Sequence, residues 1–100
     1  MTGPLLLSFA CATADVEALI DALRTVTDAP IHVRDEAVRG IDFGDAGTSE
    51  RVTGALRRAA IELIVATDLL SRCTAAVETS RRRLPVRWRA TPVIAQGRIA

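Results

Sequence analysis

The chain of 100 residues has no lysine and no tyrosine, and a single histidine, His32. Its only aromatics are Phe9, Phe43 and Trp88. Each scarcity excludes something. Nucleophilic triads need a histidine beside the nucleophile, and no Ser-His-Asp or Cys-His motif accompanies His32. Structural zinc sites draw on several Cys and His, whereas Cys11 and Cys73 stand far apart and outside any Cys-x-x-Cys motif. That usage gives no disulfide framework and matches a reducing compartment, so the expected location is the cytoplasm. Gly40, Gly44, Gly47 and Gly54 form neither a Gly-x-Gly-x-x-Gly fingerprint nor a Walker loop. The reading is of a protein that is not an enzyme, and no cofactor is named by any motif.

Nucleic acid and membrane are also disfavoured as partners. The net charge is +1, too small to steer the molecule towards polyanions, and the basic positions lack interleaved stacking rings. No segment approaches the roughly 20 apolar residues of a membrane span. The apolar stretch at 5–11 has no positive region before it and is short for a signal segment; its length is that of a buried strand. All 13 cationic side chains are arginine. That is the mark of a GC-rich genome first, and of bidentate anion contacts second.

What the chain has is apolar bulk. Hydrophobic residues make up 49% of it, enough for one core in one domain spanning residues 1–100. This exceeds what a small wet-surfaced domain needs, so part of the surface is expected to close against other subunits. Ala, Val, Leu and Ile must do the packing.

Hydrophobic periodicity gives the elements. Residues 4–13 alternate Leu5, Leu7 and Phe9 against Leu6, Ser8 and Ala10, a strand with apolar residues on both sides. Val16, Leu19, Ile20, Leu23 and Val26 recur at helical spacing, with Asp15, Glu17, Asp21 and Arg24 on the wet side and Thr13 as N-cap. After Asp28-Ala29-Pro30, a strand runs over 31–38. A long unpatterned loop over about 40–56 follows, of the kind that is functional or disordered in compact domains. Residues 57–67 form a third strand, and 69–82 a second helix closed by Arg81, Arg82 and Arg83. A fourth strand spans 85–90, with a Pro- and Gly-punctuated tail over 91–100.

The order β-α-β-β-α-β predicts an α+β fold of ferredoxin-like type, with two helices on one face of a four-stranded antiparallel sheet. Leu5, Leu7, Phe9, Ile31, Val33, Ile61, Leu63, Val65, Val86 and Trp88 should face the helices. The other face would carry Leu6, Ala10, His32, Arg34, Glu36, Ala60, Glu62, Ile64, Arg87 and Arg89. That mixture is too apolar for bulk water and too charged for a dry core. It suits a subunit interface in which Glu62 pairs with an arginine.

Two site hypotheses arise from the residues. Arg57, Arg58, Arg81 to Arg83, Arg87 and Arg89 offer guanidinium groups for a phosphate or carboxylate, if subunits bring them together; the plain alternative is salt bridging to the twelve acids. His32, with Glu36 or Cys11 as partner in space, could be a metal ligand, against the ordinary reading of a surface or interface histidine; a soft site built from Cys11 and Cys73 could take a thiophilic metal. Cys73, on the apolar stripe of the second helix, reads as core.

The arrangement, with the run Ser49-Glu50-Arg51-Val52-Thr53-Gly54 leading to Arg57-Arg58, resembles the PII-like superfamily of trimeric bacterial regulators. So does the tail Trp88-Arg89-Ala90-Thr91-Pro92-Val93-Ile94, ending in Gly97-Arg98-Ile99. It is most similar to a proteobacterial PII-like family often encoded beside heavy-metal efflux pumps of the RND type. The resemblance implies a homotrimer and a small ligand between subunits, near Arg57, Arg58, Thr91 and Arg98. It also implies an unidentified protein partner engaged by the loop over 40–56, here including Gly44, Gly47, Ser49, Glu50 and Arg51. One departure is Arg81-Arg82-Arg83-Leu84-Pro85, where nucleotide-binding relatives carry a glycine-rich phosphate-holding segment. The copper-tolerance protein CutA shares the trimeric fold. By analogy it supports a second reading, a copper- or zinc-binding protein using His32 and Cys11. A ligand-free oligomerisation module is the third.

Overall fold

The structure is a computed structural model and describes residues 3–39 and 56–100. Strand β1 (Pro4–Ala12) leads through a 3-10 turn (Thr13–Asp15) into helix α1 (Val16–Arg24), and β2 (His32–Val38) follows. Strand β3 (Leu56–Ala66) leads through a second 3-10 turn (Thr67–Leu69) into helix α2 (Leu70–Glu78), and β4 (Arg87–Pro92) completes the order. The two halves share a junction, in which the strand stops at an alanine and the turn opens on a threonine.

The strands form one sheet in the order β2-β3-β1-β4, and every neighbouring pair is antiparallel. This is the ferredoxin-like βαββαβ fold that the sequence predicts. The register fixes the faces. Leu5, Leu7, Phe9 and Cys11 pair with Val65, Leu63, Ile61 and Ala59, and all eight are buried. Leu19 and Leu23 from α1, and Cys73 and Val77 from α2, complete this core. Each full burial of a Leu or Phe side chain contributes about 1.5–3 kcal/mol, so the helices are held by the sheet rather than by their own nine-residue propensities.

The helix ends are tied by arginine. Arg24 donates from Nη1 to the carbonyls of Thr27 (3.3 Å) and Ala29 (2.6 Å). Arg82 donates to those of Val77 (3.1 Å) and Glu78 (2.8 Å) in the last turn of α2, where the Val77 carbonyl also accepts the N–H and the hydroxyl of Ser80. Of the cationic run expected to close the second helix, Arg82 does so through hydrogen bonds, and the helix ends four residues earlier than the periodicity suggests.

Three expectations are corrected. Trp88 and Val33 lie on the helix side of the register, opposite Phe9 and Ile61, yet are 52% and 46% exposed. They belong to the edge strands, which two short helices about 10 Å wide do not reach. Asp15 is 2% exposed rather than on the wet side. Finally, neither α1 nor its preceding turn has a side-chain cap, from Thr13 or any other residue.

Candidate functional site

The face of the sheet away from the helices is built from strand alternation alone. Two registered rows cross it. In one, Arg34 of β2 stands opposite Ala60 of β3, Ala60 opposite Ala10 of β1, and Ala10 opposite Arg87 of β4. In the next, His32, Glu62, Ser8 and Arg89 follow one another in the same strand order. Arg58 joins this face from β3, between Glu36 of β2 and Ala12 of β1.

Because Ala10 and Ala60 lie between longer side chains, the face is hollow at its centre. A concavity of about 210 Å³ is lined by Ser8, Ala10 and Ala60, by Arg34, Arg58, Arg87 and Arg89, and by Glu36, with Val38, Pro85 and Trp88 completing the rim. Among the described residues of that lining, four guanidinium groups stand with one carboxylate. Arg58 is 5% exposed and donates from Nη1 to the carbonyl of Arg57 at 2.8 Å.

Beside the hollow, Arg34 donates from Nη1 to Glu62 Oε1 at 2.8 Å and from Nη2 to Oε2 at 3.5 Å. Its Nε lies 3.9 Å from Glu36. The pairing of Glu62 with an arginine, expected from the pattern, is therefore present. The Arg34 hydrogen bond holds the Glu62 carboxyl below its ordinary range, against the opposing effect of desolvation; Ser8 and the charge of Arg89 act in the same downward direction.

The register sorts the sequence candidates. Arg58, Arg87, Arg89 and Thr91 share the open face. Arg57, opposite Ala37, lies on the other side, since successive strand residues point oppositely. Arg98 is in the exposed tail beyond β4. Gly44, Gly47, Ser49, Glu50 and Arg51 lie outside the described residues. His32 is on the open face and Cys11 beneath the helices, so the sheet stands between them. Burial, with a contribution from Asp15, pushes the Cys11 thiol up to about 11, although Arg58 pulls the other way. Among the described residues, no group of three or more His, Cys, Asp and Glu is placed to hold a metal ion. Among them, too, no helix is long and apolar enough to cross a membrane.

One functional-looking feature escaped sequence reasoning. The Asp15 carboxylate accepts the backbone N–H of Arg83 at 2.9 Å and of Leu84 at 3.2 Å. Successive backbone donors converging on one anion are a nest, and here the anion belongs to the chain itself. The signal available was an acid at the strand-to-helix junction; its partner lay 68 residues away.

A four-stranded antiparallel sheet covered on one side by two helices, with an arginine-lined hollow on the other, defines an α+β domain of ferredoxin-like type. The chain belongs to the family described as "Protein of unknown function (DUF3240)", which matches residues 2–100. Among solved structures it is similar to a DUF3240 family protein from Shewanella baltica, with a TM-score of 0.74 and 11% identity over 100% of both chains. It is similar also to a functionally unknown protein from Pediococcus pentosaceus, with a TM-score of 0.58 and 9% identity over 99% of both. These likenesses establish the fold. A protein from Thermus thermophilus described as PII-like and signaling reaches a TM-score of 0.49 at 12% identity, over 91% of this chain and 92% of that one; at that level the likeness carries no weight. No curated protein matches the chain.

Proposed function

We propose that the chain is a non-catalytic, PII-like regulatory protein of the cytoplasm, one domain over residues 1–100, that assembles as a homotrimer through its open sheet face. A small ligand binds at that face between subunits and biases the loop over 40–56, which engages a protein partner. A connection with heavy-metal efflux belongs to this reading as its biological setting.

The observation that carries it is the composition of the open face. Ile64 is 37% exposed and Leu6, its register partner, half-buried, one row along the strands from Glu62 of β3 and Arg89 of β4. Exposed apolar side chains thus share the face with internally paired charges such as Arg34 and Glu62, the mixture that suits a surface closed against a second copy of the chain. Its area is the limiting quantity. Four strands about 4.8 Å apart and roughly 20 Å long present only about 400 Å², against the ~800 Å² per partner of a standard interface. The tail supplies the remainder in this reading, and Ile94 and Ile99 on it are fully exposed, at 100% and 101%.

The test separates assembly from partner binding. Deleting residues 44–53 should leave the trimer intact by light scattering and abolish co-purification of the partner from the native host. Loss of the trimer in that variant would overturn the division of labour. The metal-binding reading has its own check: His32→Ala and Cys11→Ser should each lower stoichiometric copper or zinc uptake, and with the sheet between the two residues their effects should be independent.

A further inference from the structure

We infer that the edge strands of the sheet pair between copies of this chain, β4 of one copy taking β2 of the next in an antiparallel ladder. The count of three copies rests on the homotrimer proposed above; the pairing of the edges does not.

One hydrogen bond sets the phase of the whole sheet. Val93 donates its N–H to the Pro4 carbonyl, the residue opposite it when the β1/β4 register is carried one step on. Backbone groups along an antiparallel strand turn alternately to one neighbour and the other. Arg87, Arg89 and Thr91 therefore turn theirs to β1, while Trp88, Ala90 and Pro92 turn theirs to the outer edge. The registers of β1 with β3 and of β3 with β2 run without a bulge. Carried across them, the same alternation turns Val33, Asp35 and Ala37 of β2 to the opposite outer edge. Among the described residues, no backbone hydrogen bond from outside the sheet reaches any of these positions.

Edges of this kind are templates for a further strand, and proteins commonly guard them with lysine, a bulge or a covering element. This chain has no lysine. Pro92 and Asp35 interrupt the two edges, but the other outward positions carry the apolar side chains of Val33, Ala37, Trp88 and Ala90. Val33 is 46% and Trp88 52% exposed, both on the helix side of the sheet. Pairing β2 with a second β2 would leave Trp88 in water, and pairing β4 with a second β4 would leave Val33 there. Joining β2 to β4 covers both, as an aromatic and a β-branched residue on one side of a ladder.

Strand direction permits the joint. β2 runs with β1 and β4 runs against it. A copy turned about an axis along the strands thus brings its β2 antiparallel to β4, with all helices on one side and the open faces turned inward. The contact is heterologous, and closed into a ring it leaves no edge exposed. The strands also match in length, at seven and six residues. An edge about 20 Å long and about 10 Å deep adds roughly 200 Å² to each contact, about half of what the open face alone lacks against a standard interface.

The experiment follows amide hydrogen exchange of the full chain by NMR, with light scattering on the same sample. In an isolated copy the amides of Val33, Asp35, Ala37, Trp88 and Ala90 meet water. Paired between copies, they should exchange about a hundredfold more slowly or better. Ala90→Pro removes one outward N–H, a change that an edge strand tolerates, and should dissociate the copies while the amides of β1 and β3 stay protected. Free exchange at either edge of the assembled protein, or undiminished assembly of Ala90→Pro, overturns the inference. A trimer with freely exchanging edges overturns the pairing alone. Protected edges in a complex of another size overturn the count alone, and a monomer overturns both.

Discussion

The Asp15 carboxylate meets the backbone N–H of Arg83 with both oxygens at 2.9 Å, joining the entrance of α1 to the segment that leads into β4. A second donor, from Leu84, lies 3.2 Å from Oδ2. Asp15 is 2% exposed, and backbone N–H groups solvate its carboxylate in place of water.

Asp15→Ala leaves two N–H groups without their acceptor and should cost about 1–3 kcal/mol; Asp15→Asn keeps one carbonyl oxygen and should cost less. Urea unfolding midpoints, compared at equal m-values, check both. Equal loss from the two substitutions would mean that the site needs the charge itself.

The Arg34–Glu62 pair makes stability depend on pH in a defined direction. The folded-state pKa of Glu62 is lowered from 4.5, so the folded protein holds its proton less tightly than the unfolded chain. The contribution is present above pH 4.5 and is lost as pH falls through the folded value. Arg34 is exposed, so the effect is modest and salt-sensitive. Glu62→Gln should reduce the fall of the urea midpoint as pH drops below 4.5 by a measurable part. An identical pH profile in wild type and variant would contradict the pairing.

Cys11 has the opposite sense. Its folded pKa is raised from 9.0 to about 11, chiefly by burial. The folded state therefore keeps the proton that the unfolded chain gives up. Stability from this group is complete below about pH 9 and lost as pH rises towards 11. At about pH 8 the thiol should resist iodoacetamide in the native protein and react promptly in urea. Rapid native alkylation of Cys11, followed in a Cys73→Ser background, would contradict this burial.

Much of this fold is legible in the sequence because hydrophobic period switches cleanly between about 2 and 3.6. Leu5, Leu7, Phe9, Ile61, Leu63 and Val65 are all found where alternation puts them. The misses have physical causes. Trp88 and Val33 obey the alternation but sit beyond the reach of the helices, and strand order rather than pattern decides that. Asp15 looks like an ordinary first-turn acid until the fold brings Arg83 to it. The site is legible in part. Arg87 and Arg89 share a face by period, whereas Arg57 and Arg58, adjacent on a strand, cannot. The hollow itself depends on the register of Ala10 with Ala60, which no single strand encodes.

The tail should matter to assembly and little to folding. Val93 donates its N–H to the Pro4 carbonyl at 3.1 Å, the last backbone bond that ties the tail to the sheet among those described. Removing residues 94–100 should leave the stability of the isolated fold within about 0.5 kcal/mol while dissociating the trimer. Dissociation by Ile94→Glu alone would assign the contact to that side chain, each buried Ile being worth about 1.5–3 kcal/mol.

The most direct test of the central claim is the mass of the full chain in solution, by native mass spectrometry and by light scattering at micromolar concentration. The account predicts a species of three 10.7 kDa chains that falls apart when Ile64 on the open face is replaced by Glu. A stable monomer, with the open face in water and the arginine-lined hollow unshared, would contradict it.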